Sequence, residues 1–150
     1  MSAFFGDTSA LAKRYLDEAG SLWVLDWILP NSGHLVIVSD LAIVEMLSLL
    51  ARRLREGKLS PSNQAILEAN FLLHIETEYL VVPIDRGLLT LAGELVKRRP
   101  LRALDAIQLA SALAAIRTLN TPLTFISADK NLLAAASAEG FGIDDPTAHP

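Results

Sequence analysis

The chain has 150 residues, of which 51% are hydrophobic and 20% are charged. This composition excludes a disordered chain and is sufficient for one globular domain with a substantial core. The absence of cysteine excludes disulfides and thiolate metal sites, and it is compatible with a reducing compartment. A net charge of −4 is unusual for a nucleic-acid-binding protein, but four of the 17 acidic residues held by metal would leave the others equal to the 13 basic ones.

The mean hydropathy of +0.36 is high for a protein that is soluble in water. No apolar run reaches the roughly 18 residues that a membrane-spanning helix requires. The high content of apolar residues therefore predicts buried strands or an apolar surface that a partner covers. The first residues lack the basic start and long apolar core of a signal peptide, so we expect a cytoplasmic protein.

The first predicted strand is the short apolar stretch at Phe4 and Phe5, which Asp7, Thr8 and Ser9 follow closely. Short apolar runs bounded by turn or cap residues are typical of strands buried on both faces. Open α/β sheets bind ligands beyond the carboxyl ends of their strands, which would place Asp7 at the functional edge. Alternatively, one of these three polar residues simply caps the next helix, and without partners elsewhere that is the simpler interpretation.

From there to residue 76 the pattern predicts four helices around one strand. The first helix should turn Lys13 and Arg14 toward solvent and Leu11 inward. Gly20 should stop it, and the turn at 30–33 should end the second helix. The predicted elements are helix Ser9–Glu18, helix Ser21–Leu29, strand Leu35–Val38, a helix from Ser39 and Asp40 to about Gly57, and a helix from Ser60 to about Glu76.

The second half alternates strands and helices again. The predicted elements are strand Leu80–Ile84, a helix from Asp85 to Arg99, helix Leu104–Leu119, strand Leu123–Ser127, helix Lys130–Ala138 and an edge strand Phe141–Ile143. Such alternation predicts a three-layer α/β/α fold with a parallel sheet of four or five strands. We expect a single domain over residues 1–150, with residues 144–150 as a loose tail.

Glu45 is the most anomalous acidic residue in the sequence. Its helix neighbours at three and four positions include Leu41, Ala42 and Leu49, so it projects from an apolar face. Charged residues are rarely buried unless they are paired or bound to metal. Alternatively, the helix is rotated and Glu45 lies at a solvated rim, although the bases from Arg52 onward already define a polar end elsewhere.

Asp105 has two interpretations that the sequence leaves open. It could form a capping box with Gln108 at the start of the alanine-rich helix. If that helix begins nearer Leu101, Asp105 is not a cap and shares a face with Leu109 and Ala112.

Asp85 and Asp129 each follow a predicted strand, and either could cap the next helix. Spacing alone does not separate them. The three histidines are scattered without ligand spacing, and the sequence contains no Ser-His hydrolase pattern, dinucleotide-binding motif or Walker loop. Chemistry must therefore depend on carboxylates, and a carboxylate cluster requires a hard cation to offset mutual repulsion.

With Asp7, Glu45, Asp105 and Asp129 identified, the chain resembles a PIN domain, in particular a VapC-type toxin ribonuclease of a type II toxin–antitoxin system. The Asp105 stretch is the most specific part of the resemblance, which extends over nearly the whole chain. The position of Asp85 is a helix cap in the family, so the resemblance favours Asp129 as the fourth acid. The matching stretches are Asp7–Leu11, Val38 and Ser39 leading to Glu45, Leu104–Ala110 and Phe125–Lys130.

The resemblance implies an endoribonuclease that depends on Mg²⁺ or Mn²⁺. Asp7 and Asp105 would be the main metal ligands, with Glu45 and Asp129 acting directly or through water. One ion would activate a water, and a second, roughly 4 Å away, would stabilise the leaving oxygen. Thr8 or Ser9 would bond the scissile phosphate or a ligand carboxylate.

The same resemblance implies a homodimer and an antitoxin partner that covers the active-site groove. Two alternatives remain: a PIN-like RNA-processing nuclease without a toxin role, and a catalytically silent PIN-like binding module.

Basic residues must hold the rest of an RNA substrate. The candidates are Lys13–Arg14, Arg52–Arg55, and Lys97–Arg99 together with Arg102. Each stretch is alternatively a solvated helix face, and Arg102 is the best single candidate because it is close to Asp105 in sequence. Aromatic residues are few, so we expect folded or looped RNA to be recognised by shape.

Overall fold

The computed structural model describes residues 2–150, which form a five-stranded sheet and seven α-helices. The strands are β1 Ala3–Gly6, β2 Leu35–Ser39, β3 Leu80–Val82, β4 Leu123–Ile126 and β5 Gly142–Asp144. The helices are α1 Thr8–Tyr15, α2 Ser21–Ile28, α3 Leu41–Arg55, α4 Pro61–Thr77, α5 Arg86–Arg98, α6 Ala103–Leu119 and α7 Lys130–Ala138. Within residues 2–150, none of these helices combines the length and apolar character needed to cross a membrane.

All neighbouring strands are parallel, in the order β3-β2-β1-β4-β5. Alternate residues of the central strand β1 enter two separate cores. Phe5 packs with residues of α5, α6 and α7, whereas Phe4 packs against the core that α1 to α4 cover. The predicted three-layer α/β/α fold with a parallel sheet is therefore confirmed.

The strand order creates a switch point between β1 and β4. The chain leaves β1 toward β2 and β3, then crosses back through α5 and α6 to β4 on the other side. In open α/β sheets, ligands bind at the carboxyl ends of the strands where this reversal occurs. Gly6 is in register with Ile126, so the residues that follow β1 and β4 emerge at the same level.

The start of the chain differs from the prediction in one respect. Helix α1 ends at Tyr15, so Glu18 lies beyond it and turns back toward the helix. Lys13 is buried and its ammonium lies 3.1 Å from Glu18 Oε1, while Arg14 Nη1 donates to Glu78 Oε2 at 2.6 Å. The prediction that both bases face solvent is wrong, because each has a carboxylate that compensates its burial.

Residues 144–150 were predicted to form a loose tail, and this prediction is also wrong. Pro146 is buried at the start of a 3₁₀ turn, Pro146–Ala148. The ring of His149 stacks on Trp23 with 4.3 Å between centroids, and its Nε2 lies 2.8 Å from Asp144 Oδ1. Gly20, at φ 91°, leaves room for this turn, since a Cβ there would clash with the carbonyl oxygen of Pro146. The packing depends on residues distant in sequence, which the local pattern does not reveal.

Candidate active site

Buried polar side chains gather at the carboxyl edge of the sheet, around the β1/β4 switch point. The members, all at most 6% exposed, are Asp7 after β1, Ser39 at the end of β2, Ser127 after β4, and Gln108 and Ser111 on α6. The other buried polar side chains among residues 2–150 are Lys13 and Ser21. Polar groups are buried only where hydrogen bonds compensate for lost water, and the members of this layer are paired accordingly: Asp7 with Ser127, Gln108 with Glu45, and Ser39 with Ser111.

Asp7 accepts three hydrogen bonds through its two carboxylate oxygens. Its Oδ1 accepts hydrogen bonds from Ser9 Oγ at 2.6 Å and from the Ala10 backbone N–H at 3.1 Å, which caps α1. Its Oδ2 accepts one from Ser127 Oγ at 2.7 Å. Burial raises the pKa of Asp7 from 3.8 to about 6, with a smaller contribution from the Glu45 charge, and the bonds from Ser9 and Ser127 limit the rise. Asp7 is thus both a helix cap and an acid poised near neutrality.

Glu45 is half-buried and is held by two elements besides its own helix. Its Oε1 accepts from Thr8 Oγ1 at 2.8 Å and from Gln108 Nε2 at 2.8 Å, and Gln108 Nε2 also lies 3.2 Å from Thr8 Oγ1. The buried face of α3 is centred on Leu41, Ala42, Met46 and Leu50, and Glu45 borders it. The carboxylate therefore sits at the rim of the apolar face, but it is hydrogen-bonded within the polar layer.

The capping-box alternative for Asp105 and Gln108 is wrong. Helix α6 begins at Ala103, its N-cap Arg102 makes no side-chain capping bond, and Gln108 reaches across to Glu45 instead. Asp105 lies one turn before Gln108 on the same side of α6 and is half-buried. Burial raises the pKa of Asp105, and the nearby Asp129 charge raises it further.

Asp129 uses its two oxygens for different purposes. Its Oδ1 caps α7 by accepting from the N–H groups of Asn131 and Leu132 at 2.9 and 3.1 Å. Its Oδ2 lies 3.8 Å from Nη2 of Arg102, whose Nε is 3.5 Å from Asp105 Oδ2. The Arg102 side chain is 84% exposed, so its guanidinium connects the two carboxylates from the solvent side.

Serine hydroxyls connect the acids across the switch point. Ser9 Oγ, which donates to Asp7, accepts from the Ala128 N–H at 3.0 Å. Ser127 Oγ likewise donates to Asp7 and accepts from the Asp129 N–H at 3.0 Å. The structure therefore brings the loops after β1 and β4, the face of α3 and the first turns of α6 to one edge, where Ser127 and Gln108 bond the acidic side chains across elements.

Strand order also separates Asp129 from Asp85. Strand β4 is the direct neighbour of β1, whereas β3 is two strands away, roughly 10 Å at the usual strand spacing. Asp85 Oδ1 accepts from the Leu88 N–H at 2.8 Å and caps α5 beside the sheet edge. Both residues cap helices, but Asp85 lies away from the other acids, whereas Asp129 shares the contact to Arg102 with Asp105.

The donor chemistry of this edge fits a hard divalent cation. It offers the carboxylate oxygens of Asp7, Glu45, Asp105 and Asp129, and the side-chain oxygen of the buried Gln108 has no hydrogen-bond partner among residues 2–150. The observed arrangement is not a preformed cage, since within residues 2–150 no three acidic or histidine side chains are grouped so as to hold a metal. Protein donors occupy Asp7, and Arg102 lies against Asp105 and Asp129.

Sequence reasoning missed Ser127 and Gln108 as members of the site. Ser127 follows β4 as Asp7 follows β1, so its position after a strand was a usable signal. Gln108 is a polar residue three positions after Asp105 in an otherwise apolar helix stretch, which is the same signal that identified Glu45. Their mutual contacts depend on the strand order, which the sequence alone does not fix.

A groove of about 570 Å³ extends from this edge between α1 and α3. Thr8, Ser9 and Glu45 line the end near the acids, and Arg52 and Arg53 line the far end together with the buried Lys13. The other basic stretches are engaged elsewhere: Arg14 with Glu78, and Arg98 and Arg99 with Glu139.

A PIN domain family model matches residues 4–138 of the chain. Among curated proteins, none matches the chain. Three solved structures illustrate the similarity, all with low sequence identity. A toxin–antitoxin complex from Klebsiella pneumoniae has a TM-score of 0.62 at 16% identity, covering 95% of this chain and 97% of that one.

FitAcB from Neisseria gonorrhoeae has a TM-score of 0.64 at 15% identity, with 95% and 97% of the two chains covered. VapC20 from Mycobacterium tuberculosis, described as a sarcin-ricin loop cleaving toxin, has a TM-score of 0.62 at 22% identity, with 93% and 96% covered. At these identities the structures establish a shared fold over almost the full length of each chain.

Proposed function

The chain belongs to the PIN domain family, and from this premise we propose that it is a divalent-metal-dependent endoribonuclease that hydrolyses RNA phosphodiester bonds. The observation that carries the proposal is that acidic side chains from four parts of the chain lie around the switch point of the sheet, where Ser127 bonds both Asp7 and the Asp129 backbone, and Gln108 bonds Glu45 from the helix of Asp105. Carboxylates gathered in this way repel one another unless a cation offsets their charge, and Arg102 contacts only Asp105 and Asp129 among these four acids.

We propose that Asp7 and Asp105 hold Mg²⁺ or Mn²⁺, with Glu45 and Asp129 contributing directly or through water. When bound, such an ion supplies an activated water and neutralises charge that develops on the phosphate. The protein's own part is positioning. Ser9 and Ser127 hold Asp7 in one orientation, and Thr8 and Gln108 hold Glu45.

Arg102 is proposed to exchange its carboxylate partners for substrate phosphate. Its contacts to Asp105 and Asp129, at 3.5 and 3.8 Å, are long for charge-assisted hydrogen bonds, and its side chain is almost fully exposed. It can therefore leave the carboxylates at little cost in packing when metal and RNA arrive. A hydroxyl of Thr8 or Ser9, both at the mouth of the groove, is proposed to bond the scissile phosphate.

We further propose that the protein is the toxin of a toxin–antitoxin pair, acting in the cytoplasm as a homodimer that an antitoxin restrains. The similarity to a toxin–antitoxin complex, to FitAcB and to a toxin that cleaves the sarcin-ricin loop supports this proposal. Exposed apolar side chains, among them Leu22 at 82% and Val44 at 61%, offer surface for such contacts.

The nuclease proposal is tested by incubating purified protein with labelled RNAs in Mg²⁺, in Mn²⁺ and in a chelator. We expect cleavage only with a divalent ion, and its loss in Asp7→Asn and in Asp105→Asn. Asp85→Asn is the matched control, because Asp85 is also a helix-capping aspartate but lies two strands from β1. Absence of cleavage for every RNA class in both metals would contradict the proposal.

A catalytically silent binding module is the second candidate, and the engagement of all four acids by protein donors or by Arg102 and Gln108 favours it. Calorimetric metal titration distinguishes the two. Binding that Asp105→Asn abolishes supports the nuclease, whereas no binding supports the module. Growth arrest on expression, lost in Asp7→Asn, would separate a toxin from an RNA-processing nuclease.

A further inference from the structure

One face of α3 carries an acid at one end and bases at the other. Glu45, Leu49, Arg52 and Arg53 are spaced by four, seven and eight residues, so they share this face. All four line the 570 Å³ groove between α1 and α3. Two helical turns place the bases about 11 Å from Glu45 along the helix axis, which is within reach of the same bound strand.

The basic side chains at the far end of the groove outnumber the carboxylates that pair with them. Glu18 is the common partner of Lys13, at 3.1 Å, and of Arg53, at 3.7 Å. Among residues 2–150, Arg52 has a single ion pair, at 3.8 Å to Glu56, whose carboxylate also pairs with Lys58 at 2.9 Å. Both guanidinium contacts are long, that of Arg52 is solvent-exposed and that of Arg53 is partly exposed, and such pairs contribute little to stability. This end of the groove therefore retains a positive charge in a protein whose net charge is −4.

We propose that this groove binds the phosphodiester backbone of single-stranded RNA next to the scissile bond, with Arg52 and Arg53 as phosphate contacts and Glu18 as the anion that a phosphate displaces. The inference rests on the proposed nuclease function and assigns the substrate path at that same site. Arginine and lysine commonly contact phosphate oxygens without reading sequence, and a groove with few aromatic side chains suits backbone recognition.

The remaining basic stretches lack this property. Arg14 donates to Glu78 at 2.6 Å and to Tyr79 Oη at 2.9 Å, with a nearly buried side chain. Arg98 and Arg99 both bind Glu139 at 2.7 Å. These short bonds hold the three guanidinium groups in place, so Arg14, Arg98 and Arg99 are less available to an anionic ligand than Arg52 and Arg53.

The test measures equilibrium binding of a fluorescein-labelled single-stranded RNA in a chelator, which separates binding from cleavage. The double variant Arg52→Gln with Arg53→Gln is compared with a control that removes two exposed bases elsewhere on the surface, Arg86→Gln with Arg117→Gln. We expect about tenfold weaker binding for the groove variant at low salt, and a slope of log K against log salt smaller by about 1.4, the value for two lost phosphate contacts. The control should stay within about twofold of the wild type, since it removes the same charge away from the groove.

Glu18→Gln gives a prediction of opposite sign. Removing the anion that Lys13 and Arg53 share should tighten RNA binding several-fold, because the phosphate no longer competes with a carboxylate. A purely structural role for Glu18 would weaken binding or leave it unchanged. Thermal unfolding of each variant verifies that it is folded.

Equal effects of the groove and control variants, or weaker binding by Glu18→Gln, would overturn the inference. So would a groove variant that binds RNA normally but no longer binds a protein inhibitor, since the groove would then be a protein interface. The two proposals fail separately. Groove-dependent binding without cleavage in any metal would contradict only the nuclease, and cleavage with groove-independent binding would contradict only the substrate path.

Discussion

At the scale of single residues, Asp7 has two roles: it caps helix α1, and it is a buried acid with a raised pKa. Its burial raises this pKa to about 6. The folded protein therefore holds this proton more tightly than the unfolded chain, whose value is near 3.8. The stabilising contribution is complete below about pH 4 and is lost as the pH rises through 6, so the ionised Asp7 lowers the free energy of unfolding at neutral pH.

We predict that Asp7→Asn is more stable than the wild type at pH 7.5 in a chelator, by up to about 3 kcal/mol, the equivalent of the shift from 3.8 to about 6. Asparagine keeps an acceptor for the Ala10 N–H but carries no charge. The advantage should disappear at pH 4. Denaturant unfolding at both pH values measures it, with Asp85→Asn as the comparison. An Asp7→Asn advantage that does not depend on pH would contradict this account.

Ser127 is predicted to position Asp7. Its hydroxyl donates to Asp7 Oδ2 at 2.7 Å and is fully buried. Ser127→Ala removes a charge-assisted bond and leaves a buried oxygen unpaired, which should cost about 1–3 kcal/mol of stability at neutral pH. It should also raise the pKa of Asp7, because this bond favours the ionised form.

The measurement is the pH dependence of unfolding for Ser127→Ala, together with the pH profile of cleavage. Both the pH dependence of unfolding and the pH profile of cleavage should move to higher pH, because the pKa of Asp7 rises. Thr118→Ala is the control, since its hydroxyl is exposed and bonds only the Ala114 carbonyl within its own helix. A loss of stability without any movement of either pH profile would indicate packing alone.

At the scale of elements, the sequence predicts correctly those helices and strands that neighbouring residues determine, and it fails where distant residues determine the structure. The strand at Phe4–Phe5 and the helices opened by Ser60 and Asp85 follow from neighbouring residues, and their caps form as the sequence indicates. The end of α1, the burial of Lys13 and the packing of the tail depend on distant partners. Local patterns contain no information on those partners.

The terminal segment offers a prediction at this scale. Deleting residues 146–150 removes the buried Pro146 and the stacking of His149 on Trp23, and it should destabilise the fold by about 1–3 kcal/mol. Gly20→Ala should destabilise the full chain through its positive φ and a clash with Pro146. The same substitution should cost less in the shortened chain, where only the backbone strain remains.

A double-mutant cycle of thermal unfolding measures this coupling. Gly33→Ala is the control, since Gly33 also has a positive φ of 75°, but no atom of residues 2–150 lies within contact distance of its added Cβ. Additive effects of Gly20→Ala and the deletion would show that the tail does not pack as the structure has it.

At the scale of the whole molecule, the candidate site exists only because of the strand order. Asp7 and Asp129 follow strands that are 120 residues apart in sequence but adjacent in the sheet. Asp7, Glu45 and Asp105 could be selected from the sequence as candidates, each with a structural alternative, whereas only the family resemblance separated Asp129 from Asp85. Their meeting at one edge, and the hydroxyls that hold them, could not be predicted, since any permutation of the strands is compatible with the same local signals.

The same assembly predicts how a divalent ion affects the whole fold. An ion held by Asp7 and Asp105 would bridge β1 and α6, so binding should stabilise the native state by about 2.7 kcal/mol at a concentration about a hundred times the Kd.

Arg102 opposes this effect, because its guanidinium lies against Asp105 and Asp129. We therefore predict that Arg102→Gln lowers stability without metal, since the pair then repels uncompensated, yet binds Mg²⁺ more tightly. Thermal unfolding against Mg²⁺ concentration measures both effects, with Lys97→Gln as a control, and equal Mg²⁺ affinity of Arg102→Gln and the wild type would mean that Arg102 and the ion do not compete.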